Sequence, residues 1–262
     1  MERALCETYL MQIRAAQYAG DMEFPGLLLH PAPAGLALFF LIAAAALQSQ
    51  SSDAVIVSTR AAEDWVPSAD PEASQWKGIA GITAENDFYG KPAHLGTTVI
   101  RSRWTDGNLY LLYVCPFREL YLKPDPDTGR ETNKLWDWDV AEAFIGSDFE
   151  HITRYKEFQV SPQGEYVDLD IDRENPRPRG GVDWQSGFTV KARIDRVRKI
   201  WYGEMRIPFS SLAAAAPKPG TEFRIGLFRI EGAEPDRTYV AWRPTGAKNF
   251  HVPAAFGRLL LK

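Results

Sequence analysis

Thr97-Thr-Val-Ile-Arg-Ser-Arg-Trp-Thr-Asp-Gly-Asn-Leu-Tyr-Leu-Leu-Tyr-Val-Cys115 reads as two strands joined by a tight turn. Asp106-Gly107 is the turn signal, because glycine there adopts the backbone angles that a short hairpin requires. Leu109 to Cys115 carries no polar residue, which marks a strand covered on both faces. The same pattern repeats outward. Val140 to Ile145 is a second apolar run. Tyr155–Val160 and Glu165–Ile171 flank Ser161-Pro-Gln-Gly164, a hairpin with a Pro/Gly turn. Phe188 to Ile194 alternates, with Phe188, Val190, Ala192 and Ile194 on one side. Ile200–Ile207, Phe223–Ile230, Tyr239–Trp242 and Gly257–Leu261 complete the set, and only Ser210 to Ala216 reads as helical. Many closely spaced strands without intervening helices predict an all-β fold, an antiparallel β-sandwich of jelly-roll type. Two long loops, 116–134 and 172–181, are expected beside it, the first with Lys123-Pro-Asp-Pro-Asp-Thr-Gly129 as a binding-site rim.

Ahead of this body lies a hydrophobic leader. Leu36 to Leu47 is twelve apolar residues, short for a membrane span of about 20 but suited to a secretory signal. Cleavage after Ala46 would leave small residues at the cut. The preceding stretch carries Glu2, Glu7, Asp21 and Glu23 against Arg3 and Arg14, so translation from Met22 is the better fit to a short n-region. Residues 1–50 are thus read as a signal peptide or an uncleaved anchor at 36–47, 51–74 as a linker, and 75–262 as the domain. The expected location is secreted or periplasmic, with membrane contact only through an uncleaved leader. About 212 residues after the leader suit one domain and leave no room for an attached catalytic one, so a free-standing protein is expected.

Several functions are excluded early. Thirty Lys and Arg against 34 Asp and Glu give a net charge of −4, which argues against a nucleic-acid partner. Only Cys115 lies in the body, so there is no disulfide framework and no cysteine-rich zinc site; a buried strand thiol is expected. Gly-x-Ser-x-Gly and His-Glu-x-x-His are absent from the sequence, and the four His show no metal spacing. Asp168, Asp170 and Asp172 share a strand face. They could ligate Ca²⁺, but a solvated face near Arg173, Arg177 and Arg179 is the preferred reading. No cofactor is required, and structural Ca²⁺ remains an option.

The densest constellation is Leu135-Trp-Asp-Trp-Asp-Val-Ala-Glu-Ala-Phe144. If extended, Trp136 and Trp138 face the same side. Trp136, nearer the loop, is read as an exposed ring able to stack on the apolar face of a sugar, and Trp138 as core. Asp139 and Glu142 fall on opposite strand faces, so they cannot flank one glycosidic bond. One carboxylate is read as tying down a loop, and Glu142 as accepting sugar hydroxyls. Phe250, beside Lys248, Asn249 and His251, is either a ligand wall or a hydrophobic plug. Of the eight Trp, Trp104, Trp138, Trp201 and Trp242 are assigned to the core, while Trp65, Trp76 and Trp184 have no assignment.

Read in order, Asn108-Leu-Tyr-Leu, Trp136-x-x-Asp139-x-x-Glu142-x-Phe144-Ile145, Phe158-x-Val160-x-Pro-x-Gly164, Trp201-x-x-Glu204-x-x-Ile207-Pro208-Phe209, Ala241-Trp242 and Pro253-x-x-Phe256-Gly257-x-Leu259 resemble the family 9 carbohydrate-binding modules. The resemblance spans roughly residues 75 to 262. It implies non-catalytic binding of oligo- or polysaccharide in a slot between two aromatic rings, tied to xylan- or cellulose-type catabolism. It places the rings at Trp136 and Phe250, the latter where the family has Trp. It puts a hydroxyl-binding carboxylate at Glu142 and sets Gln159 where the family has Arg. Asn249 lies near a family Asn. Two alternatives stand beside it. One is a glycosidase using Glu142 with a carboxylate from elsewhere. The other is a haem-binding redox sandwich with Met205 and His94 or His251 as axial ligands.

Overall fold

The computed structural model describes residues 54–94 and 96–262. The leader, 1–50, lies outside the described residues. The described residues form twelve strands: β1 (Val55–Arg60), β2 (Ile82–Ala84), β3 (Thr98–Trp104), β4 (Asn108–Pro116), β5 (Val140–Gly146), β6 (Arg154–Val160), β7 (Tyr166–Asp172), β8 (Thr189–Asp195), β9 (Ile200–Pro208), β10 (Glu222–Glu231), β11 (Thr238–Ala241) and β12 (Gly257–Leu261). Every strand read from the sequence is present within one or two residues of its expected bounds.

The strands run in the order β7-β6-β5-β10-β12-β1-β3-β4-β9-β8, with β11 added to β10 and β2 to β3. β1 is the corner of this arrangement. Val55–Ser58 lie parallel to β12, whereas Thr59 and Arg60 lie parallel to β3. One short strand thereby joins two otherwise antiparallel sheets into a sandwich. Sheet 1 is β7-β6-β5-β10-β12 and sheet 2 is β3-β4-β9-β8. The segment 51–74, expected to be a linker, is therefore part of the fold from Val55 onward. Its strand signal is five consecutive Val, Ile, Ser and Thr residues, overshadowed by the serine-rich stretch before it. β2, at three residues, is too short to read.

The interior between the sheets is apolar. Leu109, Leu111, Tyr113 and Cys115 of β4 meet Ala141, Ala143 and Ile145 of β5, Phe158 and Val160 of β6, and Trp201, Met205 and Ile207 of β9. Burial pushes the Cys115 thiol up to about 12, so it is an inert core group. The opposite face of β4 is also covered. Tyr110 and Leu112 pack under Trp76, with Trp65 beside them, which is why the Leu109–Cys115 run lacks polar residues. Gly164, at φ +94°, closes the β6–β7 hairpin, a backbone angle that side chains rarely adopt. Ser210–Ala216 is not an α-helix: Phe209–Ser211 makes a single 3₁₀ turn. Pro208 and Pro217 bracket a segment too short to nucleate a helix.

Both Trp65 and Trp76 donate their indole N–H to Glu204, at 2.7 and 3.2 Å. The same carboxylate accepts the backbone N–H of Ser68 and Ala69 at 2.9 and 2.8 Å. Glu204 thus pins the whole segment 65–76 to the outer face of sheet 2.

Candidate functional site

The outer face of sheet 1 is not a solvated surface. Outward-facing side chains of β5, β6, β7 and β10 form a second apolar layer that includes Phe144, Tyr155, Leu169, Phe228 and Ile230. Register sets the rows. Glu142 sits between Gln159 on β6 and Phe228 on β10, and Phe144 beside Glu157, which faces Leu169 on β7. Segments from four loops fold over this face and bring Phe88, Trp136, Arg179 and Phe250 to one cavity of about 540 Å³. That size is usual for a small-molecule site. A further cavity of about 290 Å³ shares Phe88, Tyr239 and Lys248 with it. Another, of about 250 Å³, shares Ile171, Gly180 and His251. The three cavities adjoin one another through these shared residues.

Of the five residues expected at a site, Trp136, Glu142, Asn249 and Phe250 line this cavity. Gln159 does not: it is fully buried, with its amide N–H₂ donating to Glu157 Oε1 at 2.5 Å. The turn carrying Leu135 packs against β6. The role of Gln159 here is to hold Glu157.

Trp136 and Trp138 do not share a side. Lys134 takes a left-handed φ of 60°, and Leu135–Asp137 then form a 3₁₀ turn rather than extended chain. Trp136 consequently turns into the cavity wall. Trp138 stacks on Tyr121 at 4.6 Å and is half-buried, not core. Arg237 fixes the turn by donating to the backbone carbonyls of Trp136, Asp137 (3.1 Å) and Trp138 (3.2 Å). Phe88, Phe144, Tyr239 and Phe250, also at the cavity, each pack on other rings, whereas Trp136 has no ring partner among the described residues. The residue is half-buried against the edge of the second apolar layer. Phe250 is only 6% exposed; it stacks on Phe228 at 4.2 Å and abuts Phe88 at 4.8 Å. Its ring packing matches the plug reading, and the residue also lines the cavity.

Asp139 ties two loops, accepting the N–H of Tyr121 (2.9 Å) and Gly232 (2.6 Å). Glu142 is 2% exposed, and no hydrogen bond to its carboxyl is found among the described residues. Burial, then the nearby Glu157, pushes its acidity well above the usual carboxyl range. Glu157, 3% exposed, is raised by burial to about 7, against the opposing Gln159 hydrogen bond. The cavity floor therefore carries two carboxyl groups that are largely protonated at mildly acidic pH and can donate as well as accept. Glu157 was legible in principle, two residues before Gln159 on the same strand face.

His251 completes the floor. Burial, with Arg173 nearby, lowers it to about 4, so at neutral pH it is uncharged. Its Nδ1 is 2.7 Å from the Tyr155 hydroxyl, and Nε2 is 3.9 Å from Glu157. Asn249 Oδ1 accepts the His251 backbone N–H at 2.9 Å, and among the described residues its amide N–H₂ has no acceptor.

Glu157 makes stability depend on pH. Its acidity is weaker in the fold than the ordinary value of 4.5, so its stabilising contribution is complete below about 4.5 and lost as pH rises through about 7. Glu157→Gln keeps an acceptor for Gln159 without the charge. It is expected to be more stable than the parent at pH 8 by about 1–3 kcal/mol, with the difference vanishing near pH 4.5. Urea unfolding at both pH values checks this.

Other expectations are revised. Lys123–Gly129 is not a rim of this cavity: Gln163 Nε2 donates to the Lys123 carbonyl at 2.9 Å, drawing the loop to the β6–β7 hairpin instead. Asn133 and Lys134, at the end of that loop, do reach it. Asp170 pairs with Lys156 at 2.5 Å and Arg177 at 3.2 Å, and Asp172 with Arg154 at 3.3 Å. Asp168 accepts from Ser186 at 2.5 Å. Each carboxylate has its own partner rather than a common ligand. Met205 lies inside the sandwich and His251 on the outer face of sheet 1, so they cannot flank one haem iron.

The family profile described as "Carbohydrate family 9 binding domain-like" matches residues 71–262. The chain is similar to a solved carbohydrate binding module family 9 from Caldicellulosiruptor kristjanssonii. In complex with glucose that module gives 15% identity, 80% coverage of this chain, 96% of the module and a TM-score of 0.57. In complex with cellotriose it gives 16% identity, 80% and 94% coverage and a TM-score of 0.55. It is also similar to an extracellular protein of Arthroderma benhamiae, 23% identical over 154 residues, covering 54% of this chain and 68% of that protein. The human UPF0462 protein C4orf33 is 26% identical over 161 residues, covering 61% of this chain and 73% of that protein.

Proposed function

The chain belongs to the carbohydrate family 9 binding domain-like family, and from that premise we propose that it is a non-catalytic saccharide-binding protein whose site is the cavity on the outer face of sheet 1. The observation that carries this is Trp136, a half-buried ring without a ring partner among the described residues, on a turn held by Arg237 at a cavity that also has two buried carboxyls in its lining. A sugar ring offers an apolar C–H face to Trp136 and hydroxyls to Glu142, Glu157 and Asn249. Phe250 closes the far wall with its edge, in place of the symmetric two-ring slot. The adjoining cavities support an oligosaccharide over a monosaccharide, and the solved module's complexes with glucose and cellotriose support a glucan-type ligand; the motif resemblance extends this to xylan-type polysaccharide. The extracellular relative and the hydrophobic 36–47 stretch support a secreted or periplasmic protein.

Calorimetric titration with glucose, cellotriose and xylotriose tests this. Saturable binding is expected, tighter for the trisaccharides than for glucose. No heat with any neutral or charged oligosaccharide would overturn it.

The pairing of Glu142 with Glu157 in one cavity favours a second reading, O-glycosyl hydrolysis, since glycosidases use two carboxyl groups. It requires product release from bound oligosaccharide that both Glu142→Gln and Glu157→Gln abolish. Binding without product would set this reading aside and leave the first intact.

A further inference from the structure

The cavity mouth is cationic although the chain as a whole carries a net charge of −4. Lys134, Arg179 and Lys248 line it, on three separate loops. Arg179 pairs with Asp183 at 2.7 Å. Lys134 and Lys248 are exposed, and among the described residues neither ammonium has a carboxylate partner. Lys134 and Arg179 also hold left-handed backbone angles, φ 60° and 50°, positions where glycine or asparagine would be easier. The chain thus keeps two long cations at the mouth against local backbone preference. Nor do these cations serve the floor: the cation acting on Glu142 is Arg237, and Glu157 is held by Gln159. Glu142 lines the same cavity, its carboxyl without a hydrogen-bond partner among the described residues. Lys134 and Lys248, with the Asp183-paired Arg179 beside them, therefore line the cavity above the buried Glu142, and among the described residues no carboxylate neutralises either ammonium.

Resting on the saccharide reading above, we propose that the ligand is an anionic saccharide, one bearing a uronate carboxylate or a sulfate, whose charged group is held by Lys134 and Lys248 while its ring stacks on Trp136. An ammonium–carboxylate or ammonium–sulfate hydrogen bond is charge-assisted and stronger than a neutral one. Arg179 supplies a further cation at the same edge.

The test compares xylotetraose, glucuronate-substituted xylotetraose and sulfated xylotetraose by calorimetry at low and moderate salt. At low salt, at least one of the anionic forms is expected to bind about tenfold more tightly than xylotetraose, a preference that shrinks as salt screens the charges. Which of the two binds names the substituent. In Lys134→Gln/Lys248→Gln the preference falls to about twofold or less while xylotetraose affinity is unchanged, which also shows that the variant is folded. In Trp136→Ala all three ligands weaken together. Equal affinity for all three in the parent overturns the anionic inference and leaves saccharide binding standing. Binding of the anionic forms that is indifferent to Trp136→Ala marks non-specific attraction and overturns it as well. No binding by any of the three overturns the anionic inference, and the saccharide reading itself falls only when cellotriose fails to bind as well.

Discussion

Glu204→Ala is expected to destabilise the protein by about 3–5 kcal/mol while leaving saccharide binding intact wherever the variant remains folded. Glu204 is fully buried and accepts four N–H groups, from Trp65, Trp76, Ser68 and Ala69. Removing the carboxylate strands these donors, and a buried donor without an acceptor costs about 1–3 kcal/mol. It also releases the lid formed by Trp65 and Trp76 over Tyr110 and Leu112. Glu204→Gln retains one acceptor oxygen and should lose about half as much. The site lies on the other sheet, so its affinity is the internal control. Chemical denaturation measures the cost, and near-ultraviolet circular dichroism reports the freed indoles. A loss below about 1 kcal/mol would show that segment 65–76 is held by something other than Glu204.

The second large effect falls on binding. Trp136→Ala is expected to weaken oligosaccharide affinity by about 30-fold or more, the scale at which a central Trp contact behaves as a hot spot. Trp136 is suited to a clean test because it lies on a 3₁₀ turn and only partly contacts the second apolar layer. Phe250→Ala would not be clean. Its ring is packed on Phe228 and Phe88, and truncating it costs stability of about 3–5 kcal/mol before any ligand is considered. Calorimetry on Trp136→Ala and Trp136→Phe separates ring area from ring presence, with the Phe variant expected to retain part of the affinity.

Most of the sandwich was legible from local pattern. The Thr97–Cys115 hairpin, the Ser161–Gly164 turn and the alternation of β8 are each properties of one short stretch. What was not legible depends on long-range pairing. β1 is a strand because it lies between β12 and β3, and nothing near Val55 announces either partner. The site divides in the same way. Glu142, Trp136, Asn249 and Phe250 could be read from motif order, and the structure brings them to one cavity. Glu157 joins Glu142 through the β5–β6 register, and Lys134, Arg179 and Lys248 meet only because three loops converge. Trp138 misled for a backbone reason: the left-handed Lys134 breaks the extended geometry that two-residue spacing assumes.

The central claim is that saccharide enters the cavity walled by Trp136, and the eight indoles make it directly observable. In a ¹⁵N-labelled sample titrated with cellotriose or an anionic oligosaccharide, each Trp side-chain N–H gives its own resonance. The account predicts a saturable shift of the Trp136 signal, absent from Trp136→Ala spectra, with the interior Trp104 and Trp201 and the sheet 2 pair Trp65 and Trp76 unmoved. A saturable shift confined to another Trp, or none at Trp136 under conditions where calorimetry shows binding, would contradict it.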